Sequence, residues 1–294
     1  MRIVFIGAVE FSLRALQHLG LIGASVIGVC TLRQSKLNAD HVDLSSYCEE
    51  HSIPYIYAED INAPTTLEWI VRCQPDIIFC FGWSRLLRKS VLKLAPLGTV
   101  GFHPAALPRN RGRHPIIWAL SLGLNETAST FFFMDEDVDS GDILSQRNIV
   151  IDPHDDARSL YDKVVATALQ QIDEFIPQLT SSSYLRTTQD KALSNIWRKR
   201  GQEDGLIDWR MSANSIHNLV RALTRPYVGA EFKAMGQTFK IWKSRIVNLS
   251  LINIEPGKVI CYDDIGKPII KCGEEALCLV ETEPDFSPIC DIYL

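Results

Sequence analysis

Hydrophobic and polar positions follow two alternating periods along the first half of the chain. Residues 2–6 form a β-branched and aromatic run that stops at Gly7, and residues 10–19 then place Phe11, Leu13, Leu16 and Leu19 at helical spacing. The exchange repeats: the pattern predicts strands over 24–30, 53–57 and 76–81, with helices over 42–50, 67–73 and 91–94. Strands that alternate with helices need crossover connections, so the expected class is α/β with an open, doubly wound, mostly parallel sheet. Such sheets bind ligands beyond the carboxyl ends of their strands. That rule directs attention to 7–12, to 82–87 and to whatever follows Phe102, where another strand ends.

The second half reads differently. A strand over 130–134 and one ending at Ile149 and Val150 precede a long amphipathic helix, 157–179, whose Leu160, Val164, Ala168, Ile172, Phe175 and Ile176 form a stripe suited to covering the sheet. The polar stretch 180–193 is only weakly periodic and reads as a linker. After a helix over 213–223 come short strands over 231–235, 238–242, 258–262, 268–272 and 276–280, which suggest a small β-barrel. The expected division is a first domain at 1–185, a linker at 186–204 and a second domain at 205–294.

Composition adds exclusions. With 294 residues, 46% of them hydrophobic, the chain can bury two modest cores. No apolar run reaches the roughly eighteen residues of a membrane span, and Glu10 interrupts the start too early for a signal peptide, so a cytoplasmic protein is expected. The eight cysteines form no CxxC pair; they read as reduced, mostly buried residues, and no metal site is expected. The net charge is -5, and residues 201–294 carry ten Lys or Arg against thirteen Asp or Glu, 10 minus 13 or -3, which argues against a nucleic-acid partner.

Candidate chemistry concentrates in 98–142. His103 should emerge at the sheet's carboxyl edge, followed by a rigid basic loop containing Pro108, Arg111, Gly112, Arg113, His114 and Pro115 and then a helix over 116–122. The strand at 130–134 runs into Asp135, Glu136, Asp137 and Asp139, closed by Ser140 and Gly141. Read blandly, these are a loop-capping histidine and a solvated turn; read functionally, Asp139 folds back to orient or exchange a proton with His103. Gly7 is a weak dinucleotide signal, because GAVEFS lacks further glycines and Glu10 would repel a pyrophosphate. The basic cluster at 197–200 is either a solvated linker or a contact to a diphosphate or to the second copy of a homodimer.

A histidine after a strand, then Leu107, Pro108, Arg111, Gly112 and Pro115 in the pattern LPxxRGxxP, then Asp-Ser-Gly at 139–141, resembles the folate-dependent formyltransferases. Residues 205–230, GLIDWRMSANSIHNLVRALTRPYVGA, are similar to the start of the C-terminal domain that methionyl-tRNA formyltransferases share with aminoarabinose-pathway enzymes, so the resemblance spans nearly the whole chain. It implies formyl transfer from the co-substrate 10-formyltetrahydrofolate to an amine, an OB-like C-terminal barrel, and proton work by His103 and Asp139. It also implies a folate slot built from Phe81, Trp83, Ser84, Arg85, Leu86 and Leu87 with Asp135 and Asp137. Substrate contacts are expected from Glu10, Ser12, Arg111, Arg113 and His114 by their placement in the fold.

The sequence departs from the family at one position. Where the pattern has an Asn two residues before the His, holding the developing oxyanion, Gly101 stands here. Removal of one such donor typically costs about 100- to 1000-fold in rate. Asn110, His114, a backbone N–H or a water in the vacated space are the candidate replacements, and the missing side chain also makes room for acyl groups other than formyl as a further alternative. A small amino-sugar acceptor, nucleotide-linked, is favoured over initiator tRNA by the low charge. The stretch 31–46, mixed in charge, also stands where tRNA formyltransferases carry a basic loop. A formyltransferase-like chain with altered chemistry is the further alternative that Gly101 keeps open.

Overall fold

The computed structural model describes residues 1–35, 39–249 and 251–294; Lys36, Leu37 and Asn38 of the mixed-charge stretch lie outside the described residues. Contacts cluster into two compact units, one of 1–115, 127–149 and 162–197, the other of 116–126, 150–161 and 198–294. The expected linker at 186–204 is thereby divided, its first twelve positions packing with the first unit.

The first unit is built on β1 (Arg2–Ile6), α1 (Glu10–Leu21), β2 (Ser25–Thr31), α2 (Ser45–Glu50), β3 (Tyr55–Tyr57), α3 (Pro64–Cys73), β4 (Ile77–Cys80), α4 (Lys89–Leu92) and β5 (Thr99–His103). The chain continues with β6 (Arg111–Gly112), α5 (Pro115–Ser121), β7 (Glu126–Phe133), β8 (Ile143–Val150), α6 (Ala157–Thr180) and β9 (Ile196–Trp197), of which α5 from Ile116 on and the first turn of α6 count with the second unit. Seven strands form one sheet in the order β3-β2-β1-β4-β5-β7-β8. The pairs among the first five are parallel, whereas β7 runs antiparallel to β5, with His103 opposite Thr130. This is the mostly parallel doubly wound class that the alternating pattern predicts. The pairing of β6 with β9 has no counterpart in that pattern, since two-residue strands carry no period.

Strands buried on both faces read as continuous apolar runs, and here they supply an aromatic core. Phe131 packs on Phe81, Phe102 and Phe175, with ring centroids 4.8 to 5.1 Å apart. Phe81 stacks on Phe79 at 5.0 Å and meets Phe5 edge-on at 5.6 Å. The helical stripe that ends at Phe175 thus reaches the sheet, as its spacing predicts.

Strand order reverses between β1 and β4, the place where doubly wound sheets open a crevice. Here that point is stapled. Ser12, fully buried, accepts from the Ala8 and Val9 amides, both at 3.1 Å, and donates to the Phe81 carbonyl at 2.5 Å. The Glu10 amide donates to the Asp40 carbonyl at 2.9 Å. Those amides are the donors a phosphate would need at the start of α1, so the weak dinucleotide signal at Gly7 has a physical answer.

The second unit contains α7 (Ala213–Leu223) and the strands β10 (Ala230–Ala234), β11 (Gln237–Val247), β12 (Val259–Tyr262), β13 (Pro268–Lys271) and β14 (Ala276–Glu283). They pair antiparallel in the order β10-β11-β14-β13-β12, and Phe232, Phe239, Phe286 and Trp209 fill the interior. All eight cysteines are free, five of them buried. Burial pushes the thiols of Cys48, Cys80 and Cys272 up to about 12. Among the described residues no helix is long and apolar enough to cross a membrane.

Because Phe131 touches three other rings in a fully buried position, Phe131→Ala should lower unfolding stability by about 3–5 kcal/mol in a urea titration.

Candidate active site

The parallel neighbours β4 and β5 deliver 81–87 and His103 to the same sheet edge. His103 is 5% exposed, and its Nε2 lies 2.7 Å from the Asn110 carbonyl oxygen. A carbonyl can only accept, so Nε2 carries the hydrogen and Nδ1 is the nitrogen that faces Asp139. The distance from Nδ1 to Asp139 Oδ2 is 3.6 Å, an ion-pair separation longer than a hydrogen bond. Sites without substrate often show such long contacts, which tighten on binding.

Asp139 is aimed by its backbone. It sits at φ 49, a left-handed conformation that Asp tolerates better than most residues, and its Oδ2 accepts from the Gly112 amide at 2.9 Å. Gly141 follows because nothing larger fits: a Cβ there would lie 1.7 Å from the Phe133 carbonyl oxygen. Ser140 Oγ donates to Asp135 Oδ1 at 2.6 Å and closes the acidic turn on itself. No described residue hydrogen-bonds Asp139 Oδ1, which leaves that oxygen available to a proton from outside.

The basic loop is held by a segment that sequence reasoning assigned to a linker. The Asn110 amide donates to Asn195 Oδ1 at 2.8 Å, the Arg111 amide to the Asn195 carbonyl at 3.1 Å, and the Arg113 amide to the Trp197 carbonyl at 3.1 Å. Gly112, at φ 101, admits β9 because a Cβ would lie 2.3 Å from the Trp197 oxygen. Gln189 Oε1 accepts from Arg111 Nε and Nη2 at 3.2 and 2.7 Å, while its Nε2 donates to the carbonyls of Asp139 and Gly141 at 2.9 and 2.7 Å. Neither Gln189 nor Asn195 carries a signal in TTQDKALSN, where both sit in aperiodic polar sequence.

The expected substrate and folate residues fall into two groups. Arg113 Nη1 donates to the Ser84 carbonyl at 2.9 Å, so the basic loop and the 83–87 stretch do meet. Trp83 packs with Leu87 and Met134 against the β1–β4 core, and its indole N–H is buried with no partner among the described residues. Other expectations need correction. Phe81 is fully buried, its carbonyl taken by Ser12 and its amide by Ile6, so it is core and not slot lining. Ser12 is a structural staple, because its hydroxyl is fully engaged away from solvent. Arg111, 7% exposed, turns its guanidinium into the protein toward Gln189 and not outward to a substrate.

The remaining residues are dispersed. Glu10 is ion-paired with Arg14 at 2.5 Å. Arg85 binds the Glu59 carbonyl, Leu86 is 70% exposed, and Asp135 accepts from the Asp137 amide at 3.1 Å in an exposed turn. His114 adopts φ 57 at the end of the loop. The basic cluster is engaged within the second unit: Arg198 pairs with Asp204, and Arg200 lies 4.6 Å over the Trp118 ring.

The space beside Gly101 is filled. A Cβ at Gly101 would meet Met134 Cγ at 2.8 Å, Met134 Sδ at 3.0 Å and the Phe132 ring at 3.1 Å. The expected room for a water or a larger acyl group is therefore taken by a thioether, which offers no strong donor. The Asn110 side chain, by contrast, has no hydrogen-bond partner among the described residues and belongs to the residue whose carbonyl holds His103.

The model of the family described as formyl transferase matches residues 13–175, and that of the formyl transferase C-terminal domain matches 199–293. A methionyl-tRNA formyltransferase of Geobacter metallireducens is 34% identical over 289 residues, 96% of this chain and 91% of that protein. Among solved structures, HypX from Aquifex aeolicus in complex with tetrahydrofolic acid is similar with a TM-score of 0.69 at 19% identity, across 96% of this chain and 44% of HypX. An N-formyltransferase from Helicobacter canadensis, in complex with folinic acid and dTDP-3-aminofucose, has a TM-score of 0.69 at 17% identity, across 94% and 98% of the two chains. At those identities the two structures speak for the fold alone. With both halves matched by the family's models, and a relative of nearly equal extent sharing a third of its residues, the chain belongs to the formyl transferase family.

Proposed function

We propose that this formyl transferase moves a formyl group from 10-formyltetrahydrofolate to the amine of an amino sugar, the sugar being nucleotide-linked. The pairing of His103 with Asp139 beside the 83–87 stretch is the observation that carries the reaction. The residues fit the co-substrate: the buried Trp83 N–H, without a partner among the described residues, calls for an acceptor, and Leu87 and Met134 of the same cluster add apolar surface. The co-substrate would supply the carbon that is transferred. HypX and the Helicobacter canadensis enzyme were solved with folates, and the latter with an amino sugar, which supports both substrate classes.

The chain's own residues divide the work. Asp139 Oδ1, which no described residue hydrogen-bonds, takes the proton that the amine loses as its nitrogen bonds the formyl carbon; Oδ2 faces Nδ1 of His103, so the pair can hold that proton and return it to the folate nitrogen whose bond to the formyl carbon breaks. The Nε2 hydrogen bond to Asn110 prevents the imidazole from turning during that exchange. Asn110 supplies the side-chain amide that Gly101 lacks, steadying the oxygen on which charge develops. The surplus of acidic over basic residues in 201–294 supports a small acceptor, since docking on tRNA phosphates needs positive charge. The free cysteines support a reducing, cytoplasmic setting.

A second reading, formylation of methionyl-tRNA, is favoured by the 34% identity to the Geobacter metallireducens protein. The two separate in one experiment. Incubated with 10-formyltetrahydrofolate and a panel of nucleotide-linked amino sugars, the protein should yield a product 28 Da heavier by mass spectrometry, a mass that follows from replacing hydrogen by formyl. It should not bind initiator tRNA at low salt. Silence across the sugars together with salt-sensitive tRNA binding would reverse the assignment.

His103→Ala and Asp139→Asn should each lower turnover by about 10²–10⁴-fold, and retention of near-parental rate by either would remove that residue from the proton path. Asn110→Gly, which suits the left-handed backbone at φ 63 while deleting the amide, should cost about 10²–10³-fold in kcat. Gly101→Asn should give no gain while Met134 fills the position; a gain in that variant would show that Asn110 is not the substitute donor.

A further inference from the structure

We infer that Gln189 is a positioning residue that holds Asp139 beside His103, so that the segment after α6 completes the reaction site. Its use in catalysis rests on the formyl-transfer reading; its geometry does not. Gln189 is 6% exposed, and its carboxamide is saturated: two guanidinium hydrogens of Arg111 reach Oε1, and both hydrogens of Nε2 reach carbonyls, those of Asp139 and Gly141. Only a carboxamide can accept from a guanidinium and donate to two carbonyls at once. The buried charge of Arg111 also polarises the amide and strengthens the two bonds it donates.

Those two bonds bracket the residue that must be aimed. Asp139 holds φ 49, a conformation that a non-glycine residue leaves readily when released. Gln189 grips its carbonyl, Gly112 grips its carboxylate, and Gly112 is itself fixed by β9. Loss of the first grip lets the 139–141 backbone relax, and the direction of the Asp139 side chain changes with it. A shift of about 1 Å in a proton-transfer partner can cost on the order of 100-fold in rate.

The test compares Gln189→Glu with Gln189→Asn. The glutamate keeps an acceptor for Arg111 and the same length but brings no N–H to the two carbonyls; the asparagine keeps the chemistry but falls one methylene short. In the protein without substrates, hydrogen exchange of the segments 111–113 and 135–142 should accelerate at least about tenfold in both variants, with β1 and β4 unchanged. In the formyl-transfer assay kcat should fall about 10- to 100-fold, with KM for both substrates within about threefold. On an Asp139→Asn background the Gln189 substitutions should cost less than about twofold more, since the two residues act as one unit. Unchanged exchange, or losses that multiply in the double variant, would overturn the inference. Accelerated exchange in a protein whose parent formylates no amine would uphold the positioning of Asp139 and count against the proposed reaction instead.

Discussion

A buried guanidinium with no carboxylate partner among the described residues has to be answered by neutral acceptors, and at Arg111 the answer is the Gln189 carboxamide. That one requirement draws a polar segment from far along the chain into the first unit and ties it to the acidic turn. The turn in turn carries Asp139, and the loop that begins at Arg111 carries the amide of Gly112, so a single buried exchange fixes both supports of the Asp139 side chain that faces His103. The glycines at 112 and 141 are what make the approach close enough, since at each of them a Cβ would run into a backbone carbonyl.

The same economy of donors closes the nominal crevice of the sheet to an anion. At the β1–β4 reversal the amides that would face a phosphate are satisfied by Ser12 and by the Asp40 carbonyl. In the proposed function the chemistry lies one strand over, at the ends of β4 and β5. There the backbone leaves Trp83, His103 and Asp139 oriented by hydrogen bonds and packing and not consumed by them.

Gly101 changes meaning once the neighbouring strand is present. In isolation it is a deleted catalytic side chain; in the fold it is the small residue that lets Met134 lie across β5. The contact it permits is apolar and links the histidine strand to the Trp83 and Leu87 cluster. In the family reading this gives the site a hydrophobic wall where polar help is expected, and it shifts that help to the loop at Asn110.

The sequence by itself determined the alternation of strands and helices, the place of His103 at the end of β5, the Asp-Ser-Gly turn and the family resemblance. Each of these is written in local period or in a contiguous motif, which the backbone geometry converts directly into structure. It could not place Phe81 and Ser12, because a residue after a strand reads alike whether its polar groups face a ligand or a neighbouring loop. Nor could it find Gln189, Asn195 or Met134, whose roles depend on contacts 78, 85 and 33 positions away respectively, to Arg111, Asn110 and Gly101. Those contacts follow from satisfying buried polar groups and filling space, and both are properties of the assembled unit and not of any stretch of chain.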